Sequence, residues 1–140
     1  MRLLELKRIN DTITVSGQIL PEDVSALKAA GFTTIINNRP DGESPDQPAS
    51  VEIEAAAKAA GLNYIAIPLG REGVTPDMVE KTRAALEGSD GPVFAFCRSG
   101  TRSTTLWALS QAGEMDGADI IAQAAGAGYD MSHLAGHLTK

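Results

Sequence analysis

Cysteine occurs once in the 140 residues, as Cys97, so neither an internal disulfide nor a CxxC redox pair can form, and the thiol lacks the company of a zinc ligand set. Long apolar runs are missing too. Glu5, Lys7, Arg8 and Asn10 interrupt the first residues, which excludes the h-region of a secretory signal, and no stretch approaches a membrane span. These absences predict a cytoplasmic protein. Basic charge is also in short supply: a formal net charge of −6 excludes a general affinity for nucleic acid or anionic membrane, both of which require a basic face. A local basic pocket remains compatible with that balance. The single thiol is therefore either an inert core residue or a reactive one.

What is present is ordinary globular material. The 43% hydrophobic and 21% charged composition is neither disordered nor collagen-like, and the length predicts one domain over 1–140 with one substantial core. Residues 13–16 alternate as a short strand, paired with the stretch before Asn10-Asp11. Pro21 opens a helix whose apolar positions Val24, Leu27 and Ala30 recur until Gly31. Residues 32–36 form a β-branched strand, broken by the turn formers of 37–42 and a loop rich in Pro, Asp and Glu up to Pro48. Residues 49–60 are helical, 64–67 form a strand, and Thr75-Pro76-Asp77 starts a helix that runs to Leu86. A strand over 92–96 ends at Cys97. Helices over 102–111, 117–125 and 131–138 complete the chain. Strands alternating with helices predict an α/β fold with a mostly parallel central sheet flanked by helices, and in such sheets ligands bind at the carboxyl ends of strands. Cys97 lies at one such end and Arg39 at another.

The chemistry concentrates in residues 97–103, Cys-Arg-Ser-Gly-Thr-Arg-Ser, which join a buried strand to a helix. Gly100 permits the tight curvature that turns backbone amides inward. Orphan amides at a helix start, with the helix dipole, bind anions and lower the pKa of a nearby thiol. Arg98 and Arg102 add guanidinium donors suited to a tetrahedral oxyanion, and Ser99, Thr101 and Ser103 supply hydroxyls. Cysteine ending an apolar strand is ordinarily a core residue. A core loop, however, has no use for two arginines, three hydroxyls and a glycine within six residues of it, which points to Cys97 as a nucleophile.

The loop CRSGTRS, together with GFTTIINNRPDGE, the NYIAIP strand and the AGYDMS stretch, resembles the phosphatase-like domain of beta-lactamase-hydrolase-like proteins, from about Ile13 to Leu134. The resemblance implies a single tyrosine-phosphatase-like domain of the dual-specificity type, with the loop as catalytic cradle and Cys97 and Arg102 as catalytic residues. It also implies a possible relation to sulfur transfer, since in some proteins this domain is fused to a persulfide dioxygenase and described as a sulfurtransferase. The 140 residues leave no room for that second domain, so a dioxygenase would be a separate partner.

Three departures from the tyrosine phosphatases bear on the reaction. Four residues separate Cys97 from Arg102 where those enzymes have five, a spacing that looks like the loop of bacterial rhodaneses. Phe96 stands where they usually carry histidine. Their leaving-group acid follows a strand like 64–67, where this chain has only Glu72; Asp41 or Glu43 on the Arg39 loop are the substitutes. Sulfur transfer needs no general acid. The sequence therefore favours a sulfurtransferase that forms a persulfide on Cys97 from an anionic donor such as thiosulfate and passes it to an external thiol such as glutathione. Arg102 and the loop amides hold the donor, and Arg98 stabilises charge at the mouth. The alternatives are a phosphatase-like hydrolase of phosphate esters with a phosphocysteine intermediate and Asp41 or Glu72 as acid, or an inactive anion-binding or phospho-binding module. No cofactor is called for.

Arg39 has two readings, a positive rim of the anion pocket or a turn arginine paired with Asp41 or Glu43. His133 and His137 have the i, i+4 spacing of two metal ligands on one helix face, but with no third ligand nearby an ordinary surface or packing role is the reading adopted, and no metal is expected. Leu106 and Trp107 are core contacts under the loop. Tyr129-Asp130 matches the family pattern but suggests no role from sequence.

Overall fold

The computed structural model describes residues 5–138. Its elements are β1 (Lys7–Arg8), β2 (Ile13–Ser16), α1 (Val24–Ala29) entered through a 3-10 turn at Pro21–Asp23, β3 (Thr34–Asn37), α2 (Ser50–Ala59), β4 (Asn63–Ala66), α3 (Pro76–Gly88), β5 (Val93–Phe96), α4 (Thr101–Ser110), α5 (Gly117–Gly126) and a 3-10 segment at Ser132–His137. The local chemistry accounts for these boundaries. Asn10 Oδ1 accepts the amides of Thr12 and Ile13 and turns β1 back onto β2. Thr75 Oγ1 accepts the Met78 amide at 3.3 Å with Pro76 at the first helical position, so α3 starts where expected. Asp116 caps α5 in the same way.

The five strands lie in the order β1-β2-β5-β3-β4, antiparallel between β1 and β2 and parallel elsewhere. Alternation along the central strand β5 divides the core. Val93 and Ala95 join Ile13, Val15, Leu106, Trp107 and Ile120 on one face of the sheet, while Phe94 and Phe96 join Leu27, Ile35 and Ile53 on the other. Both faces of β5 are thus fully covered, as its unbroken apolar sequence requires. The mostly parallel sheet flanked by helices agrees with the sequence expectation. Strand and helix ends differ from it by at most three residues, and the strand over 13–16 matches at both ends.

Because β2, β5, β3 and β4 run parallel in register, their carboxyl ends, Ser16, Phe96, Asn37 and Ala66, open on one edge of the sheet. The segments that follow them, starting at Gly17, Cys97, Asn38 and Ile67, converge there. One expectation changes. The segment expected as a helix over 131–138 is 3-10, its bonds closing from Leu134 N–H to Met131 O at 2.9 Å and from Leu138 N–H to Ala135 O at 3.3 Å. With about three residues per turn, positions four apart no longer share a face, so exposed His133 and His137 do not form a ligand pair. Among the described residues no helix is long and apolar enough to cross a membrane.

Candidate active site

The thiol sits at the floor of this edge. Cys97 is fully buried, and its amide donates to Ser16 O at 3.3 Å, which ties the first residue of the loop to the end of β2. The next strand end must pass close by: a Cβ at Gly17 would lie 2.8 Å from Arg98 O, so the position accepts only hydrogen without displacing the loop. The chain then turns through Gly100, whose φ of +91° is left-handed, and enters α4. In this conformation the Gly100 amide donates to Cys97 Sγ at 3.1 Å. The amides of the first turn of α4 have no carbonyl of their own helix to bond and point to the same end. Ser103, within that turn, holds a buried hydroxyl without a hydrogen-bond partner, the one such side-chain atom among the described residues.

Arg102 is placed by acceptors on two other loops. Its Nη1 donates to Glu43 Oε2 and to Leu69 O, both at 2.8 Å, and its Nη2 donates to Glu43 Oε1 at 2.8 Å. Those bonds occupy three of the five N–H groups of a guanidinium. The two left over, on Nε and Nη2, share one edge, which is the geometry for bidentate contact with an oxyanion. The Arg102 pKa is raised, first by the Glu43 hydrogen bond, with burial opposing and the nearby Cys97 reinforcing, so this arginine faces the sulfur. Glu43 in turn is held down from an ordinary 4.5 to about 2, chiefly by the bond from Arg102; burial opposes this and the Arg39 bond reinforces it. Its carboxylate is therefore ionised at neutral pH and bridges the two arginines.

Arg39 is the deepest member of this network, with a side chain only 5% exposed. Its Nε donates to Glu43 Oε1 at 2.9 Å, Nη1 to Gln18 Oε1 at 3.1 Å and Nη2 to Ser44 Oγ at 3.3 Å. The pairing with Glu43 is the second of the two sequence readings, and it makes Arg39 a brace for the site. The other predicted residues fall as follows. Arg98, Ser99 and Thr101 are exposed on the loop, with Ser99 Oγ donating to Thr101 Oγ1 at 3.2 Å. Asp41 is engaged at the start of α2, where its carboxylate accepts the Ser50 amide at 2.8 Å and the Ser50 hydroxyl at 2.9 Å. Glu72 is exposed on the loop that carries Leu69, its Oε2 beside Gly70. Leu106 and Trp107 are buried under the loop as expected.

Two contributions were not legible from the motif: the bidentate Glu43–Arg102 pair, which spans 59 positions of chain, and Tyr129, whose hydroxyl donates to Ser99 O at 2.9 Å. The Tyr129 pKa is raised by burial and then by the Cys97 charge, which places the phenol close to the thiol. A Cβ at Gly100 would overlap the Tyr129 hydroxyl and lie 2.9 Å from its Cζ. Gly100→Ala combines this clash with a strained φ, and we expect it to destabilise the protein by about 2–4 kcal/mol in urea unfolding. An unchanged midpoint would show that the loop tolerates another path.

Comparison with known proteins agrees with this geometry. The family described as beta-lactamase hydrolase-like protein, phosphatase-like domain, matches residues 5–114. A beta-lactamase hydrolase-like protein of Agrobacterium fabrum is 41% identical over 115 residues, 81% of this chain and 27% of its own length, so the chain spans about a quarter of that relative. Among solved structures, a candidate phosphatase from Neisseria meningitidis superposes with a TM-score of 0.82 at 29% identity, covering 97% of both chains. TpbA from Pseudomonas aeruginosa in complex with phosphotyrosine shares the fold alone, with a TM-score of 0.65 at 18% identity over 96% of this chain and 83% of that one. A thiol cradled at the carboxyl edge of a parallel sheet, on a chain with these relatives, belongs to the phosphatase-like domain family of beta-lactamase hydrolase-like proteins.

Proposed function

We propose that the protein is a cysteine-dependent sulfurtransferase. The observation that carries this reading is the state of the carboxylates around Arg102: Glu43 is locked as an ion between two guanidiniums and Asp41 is engaged at a helix start. Neither is placed to protonate a leaving alkoxide, whereas sulfite departs without a proton. In the first step the Cys97 thiolate attacks the outer sulfur of thiosulfate. A new S–S bond forms, the S–S bond of thiosulfate breaks, and its electron pair leaves on sulfite. The products, a cysteine persulfide anion and sulfite, balance the charge of a thiolate and thiosulfate. A thiolate acceptor then attacks the outer sulfur of the persulfide and regenerates Cys97. Cys97 is the only cysteine in these 140 residues, so the acceptor thiol comes from outside them, from a small thiol such as glutathione or from a protein thiol; a persulfide dioxygenase would consume the product. The free edge of Arg102, the loop amides and the Ser99, Thr101 and Ser103 hydroxyls hold the sulfonate oxygens, Gly100 shapes the cradle, and Arg98 stands at its mouth.

The test is to incubate the protein with thiosulfate and follow sulfite release with glutathione present, while intact-mass measurement looks for a gain of one sulfur atom on the Cys97 peptide. Persulfide formation with glutathione-dependent sulfite release is the expected result. Absence of the adduct under turnover would sink the proposal.

Hydrolysis of phosphate monoesters is the second reading, favoured by the likeness to a candidate phosphatase over the whole length of both chains. It requires Glu72 as the acid, the exposed carboxylate on the loop against Arg102. If it holds, wild-type protein hydrolyses an aryl phosphate and Glu72→Gln lowers that rate roughly 100-fold or more. Silence in both assays with retained anion binding would leave a binding module.

A further inference from the structure

Tyr129 lies beyond residues 5–114, the span of the family match, and the pattern it belongs to suggests no role for it. Its backbone is fixed from both sides: its own amide donates to Ala124 O at 2.9 Å at the end of α5, and the next residue, Asp130, accepts the amide of Ser132 at 3.0 Å and its hydroxyl at 2.6 Å. The phenol therefore reaches the catalytic loop from a firm base. There it donates to Ser99 O, and the atom bonded across that peptide unit is the Gly100 nitrogen, whose hydrogen points at Cys97 Sγ. Ser99 C=O and Gly100 N–H belong to one planar trans peptide, so fixing the carbonyl at one end fixes the direction of the N–H at the other. Glycine is the residue that least resists rotation of its preceding peptide, and Gly100 already sits at a φ of +91°. Left alone, this peptide could turn its N–H away from the sulfur and present its carbonyl oxygen instead.

We infer that Tyr129 is a positioning residue that clamps the Ser99–Gly100 peptide so that the Gly100 amide stays aimed at the Cys97 thiolate. The inference rests on Cys97 being the nucleophile and holds for either electrophile. A donor aimed at a thiolate makes a charge-assisted bond, and a flipped peptide would set a carbonyl dipole against it. The clamp also couples α5 and the turn after it to the reactivity of a residue on β5's loop.

Tyr129→Phe removes the hydroxyl and keeps the ring. The readout is the rate of Cys97 alkylation by iodoacetamide at pH 6 and at pH 10. We expect the variant to react roughly tenfold more slowly at the lower pH and at an unchanged rate at the higher one. A purely structural loss would lower the unfolding midpoint without changing the ratio of the two rates, and an unchanged ratio overturns the clamp. In the wild-type protein, amide exchange followed by NMR gives a second reading that needs no variant: the Gly100 proton should exchange slowly for a loop amide, and fast exchange would contradict the inference. A wild-type thiol no more reactive at pH 6 than free cysteine would overturn the clamp together with the nucleophile it serves. Reactive wild-type protein with equal ratios in both proteins would overturn the clamp alone.

Discussion

Cys97→Ser is expected to lower thiosulfate-dependent sulfite release roughly 10,000-fold, leaving the protein folded and able to bind the anion. The serine hydroxyl is close in shape to the thiol and accepts the same Gly100 amide, so the cradle of loop amides and the free edge of Arg102 persist. What disappears is the anionic, polarisable sulfur. A hydroxyl at neutral pH is almost wholly protonated, and Glu43, the carboxylate bonded to Arg102, is itself held as an ion between two arginines. Sulfite release and thiosulfate affinity, measured together on the variant and the wild type, check this. Residual turnover within tenfold of wild type would place the chemistry elsewhere, whereas loss of binding along with turnover would mean that the sulfur itself organises the loop.

Glu43→Gln is expected to act on both activity and stability. The amide retains the shape of the carboxylate but not its charge, and one of its two positions becomes a donor facing the N–H groups of Arg102. Arg102 then loses the contact that sets its free edge toward the sulfur, and a displacement on the order of 1 Å at such a site costs about 100-fold in rate. Arg39, with its side chain 5% exposed, loses its only acidic partner in the described structure and leaves a buried cation poorly compensated. The shift of Glu43 from 4.5 to about 2 corresponds to about 3 kcal/mol of folding stability, an upper value because the carboxylate is 27% exposed and partly screened. The direction with pH follows from the sign. The folded-state value lies below the unfolded one, so this contribution is fully present above about 4.5 and is lost as the pH falls toward about 2. Urea unfolding of the two proteins should show a gap at neutral pH that closes over that acid range. A constant gap would mean that the ion pair is not its origin.

The same pair separates two tasks that the loop motif combines. Glu43 and Leu69 O, on the loops after β3 and β4, take three of the Arg102 donors and leave one edge for the anion of the proposed reaction. The acid-rich segment after Arg39 is ordered around this purpose: Gln47 accepts the Glu43 amide at 3.0 Å and donates to Pro40 O at 2.8 Å, and Asp41 joins the segment to α2. An acidic residue next to an anion site is counterproductive unless it is neutralised, and two guanidiniums accomplish that here.

The architecture and the place of the candidate nucleophile are legible in the chain because both rest on local signals. Alternation of short β-branched strands with capped helices is a local property, and Thr75-Pro76, Asp116 and the apolar run of β5 each act within a few residues, so the α/β sheet and the position of Cys97 at a strand end could be read directly. The spacing of Cys97, Gly100 and Arg102 is likewise local, because the loop and the first turn of α4 form one continuous segment. How the charges pair depends on the three-dimensional arrangement of the loops. Arg39 and Glu43 on the loop after β3 and Arg102 in the first turn of α4 are brought together by the parallel order of β3 and β5, and no periodicity in the chain states which acid meets which base. Tyr129 reaches Ser99 from 30 residues away for the same reason. Asp41 and Glu43, two positions apart, were interchangeable in sequence; the fold turned one toward a helix start and the other between two arginines, because contacts at that range depend on where the sheet places the loops.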